Sequence, residues 1–193
     1  DKMMFSMHWV GMWWTAVRTF WDIVVDLRNT PMSYPLMAGR RFRLGRIKAP
    51  GHRVVHLAAV MGLSEQPPGP KMWFSESARE RAKTLIPEGP PVLAIGPTAN
   101  WSAKIWRAGS FVELIERLSG PSGILPGARV AVFGRDDERP MALRVIDAIP
   151  EDRRIDLVGR LDLLNAGACL GRAAFYVGND SGLMHLAAAD VLS

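Results

Sequence analysis

Residues 175–185 read Phe-Tyr-Val-Gly-Asn-Asp-Ser-Gly-Leu-Met-His, and this sequence is the clearest indication of the fold. We interpret residues 175–177 as a strand and the residues from Ser181 onward as a helix. Strands that alternate with helices in this way predict βαβ units, an α/β fold and a parallel sheet covered on both faces. The alternation occurs three times before this stretch, with strands predicted at 92–95, 129–133 and 155–158 and helices at 110–118, 138–149 and 162–170.

Two of these helices carry capping signals. Ser110 followed by Glu113 forms a capping box at the start of one helix. Asp162 stands at the N-cap position of another, where a short acidic side chain can accept a hydrogen bond from the first turn. Both signals place a helix directly after a predicted strand and loop.

The chain is less regular before residue 87. Stretches rich in proline and glycine, at 64–70 and 87–91, cannot continue a helix or a central strand. We place a domain boundary between them, near residue 87, which divides the chain into residues 1–86 and 87–193. The first part is predicted to contain a buried strand at 21–28, a basic stretch at 40–48, a helix at 54–63, an edge strand at 72–74 and an amphipathic helix at 77–85.

The composition is that of an ordinary globular protein. Of the 193 residues, 48% are hydrophobic and 22% are charged, which argues against disorder. The formal charge of +5 suggests an anionic partner, such as a phosphorylated small molecule, an acidic membrane surface or nucleic acid. The basic residues are scattered, which favours a solvated surface over a nucleic-acid stripe. The single cysteine, Cys169, excludes a disulfide framework and is expected to lie in the core.

The chain begins in an apolar segment and ends shortly after the last predicted helix. Residues 3–17 are crowded with Met and Trp but are shorter than the roughly 20 apolar residues of a membrane span. We favour a buried core helix over an interfacial helix in which Arg18 faces lipid phosphates. The chain starts without Met inside this apolar segment, and a doubly wound domain usually adds a further βα unit after residue 193. We therefore expect truncation at both ends.

We expect the functional residues in the loops that follow the strands, because ligands of open parallel sheets bind there. Between residues 178 and 185, Asp180 or Ser181 is expected to cap the helix, and Gly182 lets a ligand approach the backbone. The helix amides favour a phosphate, and Ser181 and His185 lie on one helical face. An ordinary capped helix with a buried histidine explains the same spacing equally well.

Two further loops offer polar side chains. The loop at 96–106 is long for a βα connection and carries Thr98, Ser102 and Lys104. Lys104 is a point charge suited to a diphosphate, although a solvated lysine is the alternative. The acids of the loop at 134–139 could bind a metal or a ribose. However, acidic residues are favoured at the N-terminus of any helix. We therefore prefer a helix-stabilising role over a ligand-binding role for these acids, and also for Asp162.

Together these loops resemble glycosyltransferase family 9, the heptosyltransferases that build the lipopolysaccharide inner core. The strongest motif is Asn-Asp-Ser-Gly-Leu-Met-His-Leu-Ala-Ala-Ala at 179–189, which is similar to the donor-site motif of that family. The Lys-Ile-Trp sequence at 104–106, followed by Phe111, resembles a Lys-x-Trp-Pro…Phe motif, with Arg107 where proline is usual. Residues 21–28 also resemble a Tyr-Asp-Leu-Val-Ile-Asp-Leu stretch of the family.

The resemblance implies a GT-B architecture, in which two Rossmann-type domains face each other across a cleft. Residues 87–193 would form the nucleotide-sugar-binding domain, and residues 1–86 part of the acceptor-side domain. The implied activity is metal-independent transfer of a heptose or related sugar, without a cofactor, from a nucleotide sugar to a lipopolysaccharide core acceptor. The expected donor is ADP-heptose and the expected acceptor is a lipid-linked saccharide. Because such an acceptor lies on the cytoplasmic leaflet, we expect a cytoplasmic location with peripheral contact to the inner membrane.

The resemblance also assigns roles to individual residues. Lys104 and Asp180 would be catalytic. Lys104, the helix amides at Ser181 and Gly182, and His185 would stabilise the negative charge that grows on the leaving diphosphate. No metal ligands are implied. The donor-binding residues would be Thr98 and Lys104 at the phosphates, Asp137 near the nucleoside, Leu161 at the base, and Asp180, Ser181, Gly182 and His185 at the diphosphate and sugar.

Three other interpretations stay open: a donor-binding member of the family without turnover, another nucleotide-sugar enzyme of GT-B architecture, and, more distantly, a basic nucleic-acid-binding protein. Calorimetry with ADP and with short DNA separates the nucleotide-sugar class from the last one, since DNA binding would fall steeply with salt.

In family 9 the general base is a carboxylate from a glycine-rich loop of the N-terminal domain, and nothing at the start of this sequence matches that loop. The 193-residue chain is therefore expected to bind donor without transferring sugar. An assay with ADP-heptose and a lipopolysaccharide core acceptor checks this expectation, and sugar transfer by the isolated chain would refute it.

Overall fold

The computed structural model describes residues 2–47 and 50–189, which form two compact units, Asp1–Gly69 and Pro70–Ser193. The first unit contains α1 (Lys2–Arg18), β1 (Phe20–Asp26), β2 (Met37–Arg43) and α2 (Arg53–Ala59). The elements of the second unit are α3 (Glu76–Leu85), β3 (Val92–Gly96), α4 (Ala108–Ser119), β4 (Arg129–Val132), α5 (Arg139–Ala148), β5 (Arg154–Asp156), α6 (Leu163–Leu170), β6 (Phe175–Gly178) and α7 (Gly182–Ala187).

The second unit is built on a four-stranded sheet in the order β5-β4-β3-β6, and every neighbouring pair is parallel. The chain adds β4 and β5 on one side of β3 and then returns to place β6 on the other side. The carboxyl ends of β3 and β6 are level, because Gly96 is in register with Gly178. This reversal of strand order is where ligands of open α/β sheets bind.

Both faces of this sheet are buried, as the sequence predicted. On one face, Leu93 and Ile95 of β3 pack in a cluster with Phe111 of α4 and Val145 of α5. On the other face, Ala94 belongs to a cluster that includes residues of α3, α6 and α7. The alternation of side chains along β3 serves both clusters, and the resulting core holds the strand ends in place.

The two predicted helix caps had different outcomes. Asp162 accepts a hydrogen bond from the backbone amide of Asn165 at 2.8 Å, which confirms it as the N-cap of α6. The capping box at Ser110 was wrong, because α4 begins earlier, with Arg107 at its N-cap position. Glu113 instead forms an ion pair with Arg117 one turn along the helix.

The predicted edge strand at 72–74 is absent, since these described residues have no regular structure. Phe74 instead packs with its side chain into the core of the second unit, with its ring over Gly167 of α6. A Cβ atom at Gly167 would lie 2.7 Å from that ring, so the glycine provides the space.

The compact units divide at Gly69, upstream of the boundary predicted near residue 87. The reason is packing: Ala78 and Ala82 of α3 are buried in the same cluster as residues of α6. The guanidinium of Arg172 also donates to the carbonyl of Ile86 at 2.6 Å. Helix α3 thus belongs to the sheet-containing unit. The assignment of an acceptor-side and a donor-side domain stays a prediction.

The first unit contains a parallel pair of strands, β1 and β2. The strand predicted at 21–28 forms as β1, but the prediction that it is buried was wrong, because only Val24 and Asp26 are buried along it. Strand β2 was missed, since its arginines give no alternation of apolar and polar residues.

The Met- and Trp-rich N-terminal segment forms α1, but no side chain from Trp9 to Arg18 is buried. The core-helix interpretation was wrong, because the described side chains of this segment are exposed or only partly buried. Arg18 lies over the ring of Trp14, with its guanidinium carbon 4.0 Å from the ring centroid. Among the described residues, none of the helices has the length and apolar character needed to cross a membrane.

The loop after β1 is organised by the buried carboxylate of Asp26. The hydroxyl of Ser33 donates to it at 2.6 Å, and the backbone amides of Arg28 and Thr30 donate at 3.0 and 3.3 Å. The guanidinium Nη2 of Arg43 on β2 lies 3.4 Å from Asp26 Oδ2. The Ser33 hydrogen bond, helped by these amides and by Arg43 and opposed by burial, lowers the pKa of Asp26 to about 2.

Replacing Asp26 by Asn is expected to lower the free energy of unfolding by about 2 kcal/mol at neutral pH, because hydrogen bonds to a charged group are lost. The pKa of the carboxyl rises from about 2 in the folded chain to about 3.9 on unfolding. Its stabilisation is therefore complete above about pH 4 and is lost as the pH falls towards 2.

Urea unfolding followed by tryptophan fluorescence measures this effect, with Asp22→Asn on the exposed face of β1 as the control. A difference between wild type and Asp26→Asn that stays constant from pH 6 to pH 2 would contradict the assignment.

Candidate functional site

A cavity of about 630 Å³ opens at the carboxyl ends of the second unit's strands. Its size is typical of sites for small organic ligands. The loops after β3, β4, β5 and β6 all contribute to its wall. The lining residues are Thr98, Ala99, Asn100, Trp101, Lys104, Phe133, Gly134, Arg135, Glu138, Leu157, Leu161, Asp162, Leu163, Ala166, Asp180, Ser181, Gly182 and Leu183.

Two predicted residues from distant parts of the sequence meet at this cavity. The ammonium of Lys104, at the end of a short 3-10 turn after β3, forms an ion pair with the carboxylate of Asp180 after β6. The hydrogen bond from Lys104 is the main reason that the pKa of Asp180 is lowered, and its charge and that of His185 add to the effect. The structure therefore places an ammonium beside the turn that follows β6.

The loop after β3 is attached to this turn by Asn179. The backbone amide of Asn179 donates to the carbonyl of Gly96 at 3.0 Å, which extends the β3–β6 pairing by one step. Its side-chain oxygen accepts from the backbone amide of Trp106 at 3.0 Å. Asn179 is buried, so it acts as a fixed connection between the two loops. Apart from the presence of Asn179 in the motif, no feature of the sequence indicated this role.

The start of α7 differs from what the sequence predicted. Ser181 occupies the N-cap position but makes no side-chain capping hydrogen bond, and the carboxylate of Asp180 points to Lys104 instead. The prediction that one of them caps the helix was therefore wrong. A Cβ atom at Gly182 would meet nothing within 4 Å, so a ligand can approach the backbone there. The first-turn amides are left without a side-chain cap.

The described helix α7 has six residues, so the contribution of its macrodipole is small and the amides act mainly as local donors. His185 lies within this helix. Its side chain is exposed, which rules out the alternative of a buried histidine, and it does not line the cavity. The predicted contact of His185 with the donor stays a prediction.

The acid that lines the cavity after β4 is Glu138 and not its neighbour Asp137. The buried carboxylate of Glu138 accepts from the hydroxyl of Thr98 at 2.8 Å and from the backbone amide of Arg135 at 3.0 Å. Asp137 is exposed and forms an ion pair with the guanidinium of Arg135. The sequence could not separate these acids, because each suits the start of a helix.

One wall of the cavity is apolar. Leu161, predicted at the base pocket, lies there with other apolar side chains. Asp162 also lines the cavity while it caps α6. An apolar wall beside polar groups can hold a ligand with a flat ring at one end and charged or hydroxyl groups at the other. The other apolar side chains of this wall are Phe133, Leu157, Ala166 and Leu183.

Two observations concern metals and thiol chemistry. Within residues 2–47 and 50–189, no group of three or more His, Cys, Asp or Glu side chains could hold a metal ion. Cys169 is buried on α6, and burial raises the pKa of its thiol to about 11. The thiol stays protonated at neutral pH, so the predicted core role of Cys169 is confirmed.

The fold of the chain is similar to that of solved glycosyltransferases. A glycosyl transferase family 9 structure from Veillonella parvula matches with a TM-score of 0.68 and 18% identity, over 86% of this chain and 53% of that one. An E. coli heptosyltransferase WaaC structure with ADP matches with a TM-score of 0.65 and 16% identity, over 95% of this chain and 62% of that one. These likenesses show a GT-B-like fold.

The sequence comparisons define the family. The model of glycosyltransferase family 9 (heptosyltransferase) matches residues 51–190, and the chain belongs to this family. A curated relative, lipooligosaccharide heptosyltransferase 2 of Haemophilus influenzae, is 28% identical over 176 residues, which cover 85% of this chain and 46% of the relative. The chain thus spans about half the length of the curated relatives that it matches.

Removing the carboxylate of Glu138 is expected to destabilise the second unit. Glu138→Ala leaves the buried hydroxyl of Thr98 and the part-buried backbone amide of Arg135 without their acceptor, which costs about 2 kcal/mol. Glu138→Gln keeps an acceptor oxygen, so its effect on the free energy of unfolding should be less than half as large. Urea unfolding measures both variants.

Asp137→Ala is the matched control, because it removes the exposed neighbouring acid and should leave the unfolding midpoint unchanged. Equal destabilisation by Glu138→Ala and Asp137→Ala would show that the buried carboxylate has no special role.

Proposed function

We propose that this chain provides the nucleotide-sugar-binding part of a glycosyltransferase that transfers a heptose in lipopolysaccharide core synthesis. The observation that carries the proposal is the meeting of Lys104 and Asp180 at the mouth of a cavity that also has an apolar wall. Family membership supports the reaction class, and the name of the curated relative, a lipooligosaccharide heptosyltransferase, supports heptose as the sugar and a lipid-linked saccharide as the acceptor.

The diphosphate of the donor would lie between Lys104 and the backbone of Ser181 and Gly182. Lys104 supplies a positive charge, and the uncapped amides supply donors. The ion pair of Lys104 with Asp180 is exposed to solvent, and such pairs contribute little to stability. Lys104 can therefore turn from the carboxylate to a phosphate at small cost.

The nucleoside would occupy the apolar wall around Leu161. A planar base gains most from burial against aliphatic side chains, and this part of the cavity provides them. The carboxylate of Glu138 uses one oxygen, Oε2, for Thr98 and Arg135. Its other oxygen could accept from a ribose hydroxyl. ADP is the expected nucleotide, since the E. coli relative of similar fold carries ADP.

Sugar transfer would proceed through a state in which positive charge grows on the sugar and negative charge on the departing diphosphate. Lys104 and the amides at Ser181 and Gly182 would stabilise the diphosphate without a divalent ion. The carboxylate of Asp180 would accept hydrogen bonds from sugar hydroxyls and hold the ring in place. The acceptor would be a lipid-linked saccharide at the cytoplasmic face of the inner membrane.

The test is isothermal calorimetry of the 193-residue chain with ADP. Wild type is expected to bind ADP. Lys104→Ala is expected to weaken binding at least tenfold, because the contact between the ammonium and the phosphates is lost. Lys83→Ala is the matched control, since Lys83 is also ion-paired to an acid, Glu80, on the surface of the same unit. It should bind ADP as wild type does.

Equal binding of ADP by Lys104→Ala and Lys83→Ala would overturn the proposal. Salt-sensitive binding of a short DNA duplex without any binding of ADP would instead support the nucleic-acid interpretation.

A further inference from the structure

Buried polar atoms without partners are concentrated at one place in the second unit. Within the described residues, buried side-chain atoms that lack a hydrogen-bond partner include Tyr176 Oη, Asn179 Nδ2 and Ser181 Oγ. These three belong to a stretch of six residues at the end of β6. A buried polar group without a partner is costly, so such a concentration points to a function and not to packing alone.

The hydroxyl of Tyr176 reaches the carboxyl edge of the sheet because two glycines make room for it. Gly96 and Gly178 are in register on β3 and β6. A Cβ atom at Gly96 would lie 2.3 Å from Tyr176 Oη, and one at Gly178 would lie 2.1 Å from it. Both distances are far below any van der Waals contact. Any other residue at either position would displace the phenol, so these three residues form one arrangement.

The Tyr176 hydroxyl lies near Ser181. Burial raises the pKa of Tyr176 to about 12, and the nearby Ser181 hydroxyl partly opposes that rise. The two groups do not meet the geometry of a hydrogen bond in this structure. Since the phenol keeps its proton at physiological pH, it is available as a donor to the serine oxygen.

We propose that Tyr176 is a positioning residue for the diphosphate site, and that it acts through Ser181. Its O–H donates to Ser181 Oγ, so the proton of the serine hydroxyl is directed to an oxygen of the ligand phosphate. Ser181 lines the cavity, whereas Tyr176 does not. The phenol therefore affects the ligand without touching it. This inference rests on the proposed binding of a nucleoside diphosphate.

The orientation has a chemical consequence. A serine hydroxyl can donate one hydrogen bond and accept others, and an anion accepts hydrogen bonds only. When the oxygen of Ser181 is already occupied by the Tyr176 donor, the serine proton has one favourable direction, towards the phosphate. Hydrogen bonds in such a chain polarise and strengthen one another. The effect should depend on the phosphates and not on the nucleoside.

The experiment compares ADP and adenosine binding by calorimetry in wild type, Tyr176→Phe, Ser181→Ala and the double variant. Tyr176→Phe is expected to weaken ADP binding about fivefold, the effect of one lost hydrogen bond, and to leave adenosine binding unchanged. The double variant should bind ADP no more weakly than Ser181→Ala. The control is Tyr34→Phe, the same deletion at the other of the two tyrosines.

A second measurement keeps the hydroxyl of Tyr176. In the Tyr34→Phe chain grown with 3-fluorotyrosine, the single fluorine resonance reports the surroundings of the Tyr176 ring. It is expected to shift when ADP is added and to stay in place when adenosine is added.

The outcomes separate this inference from the proposed function. If ADP binds and depends on Lys104, but Tyr176→Phe binds it as wild type does, only the role of Tyr176 is overturned. Equal weakening of ADP and adenosine binding by Tyr176→Phe also overturns it, because it shows a general structural effect. An unchanged fluorine resonance in the presence of bound ADP likewise overturns the proposed role of Tyr176. If wild type does not bind ADP, both proposals fall.

Discussion

The site depends on the parallel pairing of β3 with β6. This pairing sets Gly96 beside Gly178, so two loops that are far apart in the sequence begin at the same edge of the sheet. Asn179 then continues the pairing by one hydrogen bond and holds the backbone of Trp106 with its side chain. The positions of Lys104, Asp180 and Ser181 all follow from this backbone arrangement, which the buried faces of the sheet stabilise.

The cavity and the residues directly behind its wall include groups that would not persist in a site made only for stability. An ammonium and a carboxylate face each other in solvent, a serine at the N-cap position of α7 does not cap it, and a phenol is buried without a partner. Each of these arrangements gives up a local interaction that the same residues could have made. Their concentration at one sheet edge is the physical argument for a ligand there.

The sequence predicted the sheet-containing unit well because its strands and helices have regular periodicity. Lys104 and Asp180 could be assigned to one site, since both follow strands of a parallel sheet and both lie in motifs of the family. The choice between Asp137 and Glu138 could not be made, because burial depends on how the turn after β4 packs against Thr98.

The first unit was predicted less well. Its strand β2 is rich in arginine and has no apolar alternation, and the exposure of α1 depends on what the neighbouring elements can cover. The role of Tyr176 was also invisible in the sequence. A tyrosine in an apolar strand suggests core packing, and only the distances from Gly96 and Gly178 show where its hydroxyl lies.

A crystal structure of the chain with ADP tests the central claim, that the loops after β3 and β6 form one diphosphate site. We expect the diphosphate between the ammonium of Lys104 and the backbone of Gly182, with the adenine against Leu161. Ordered ADP anywhere else on the chain, or at this edge with Lys104 still paired to Asp180 and out of contact with phosphate, would contradict it.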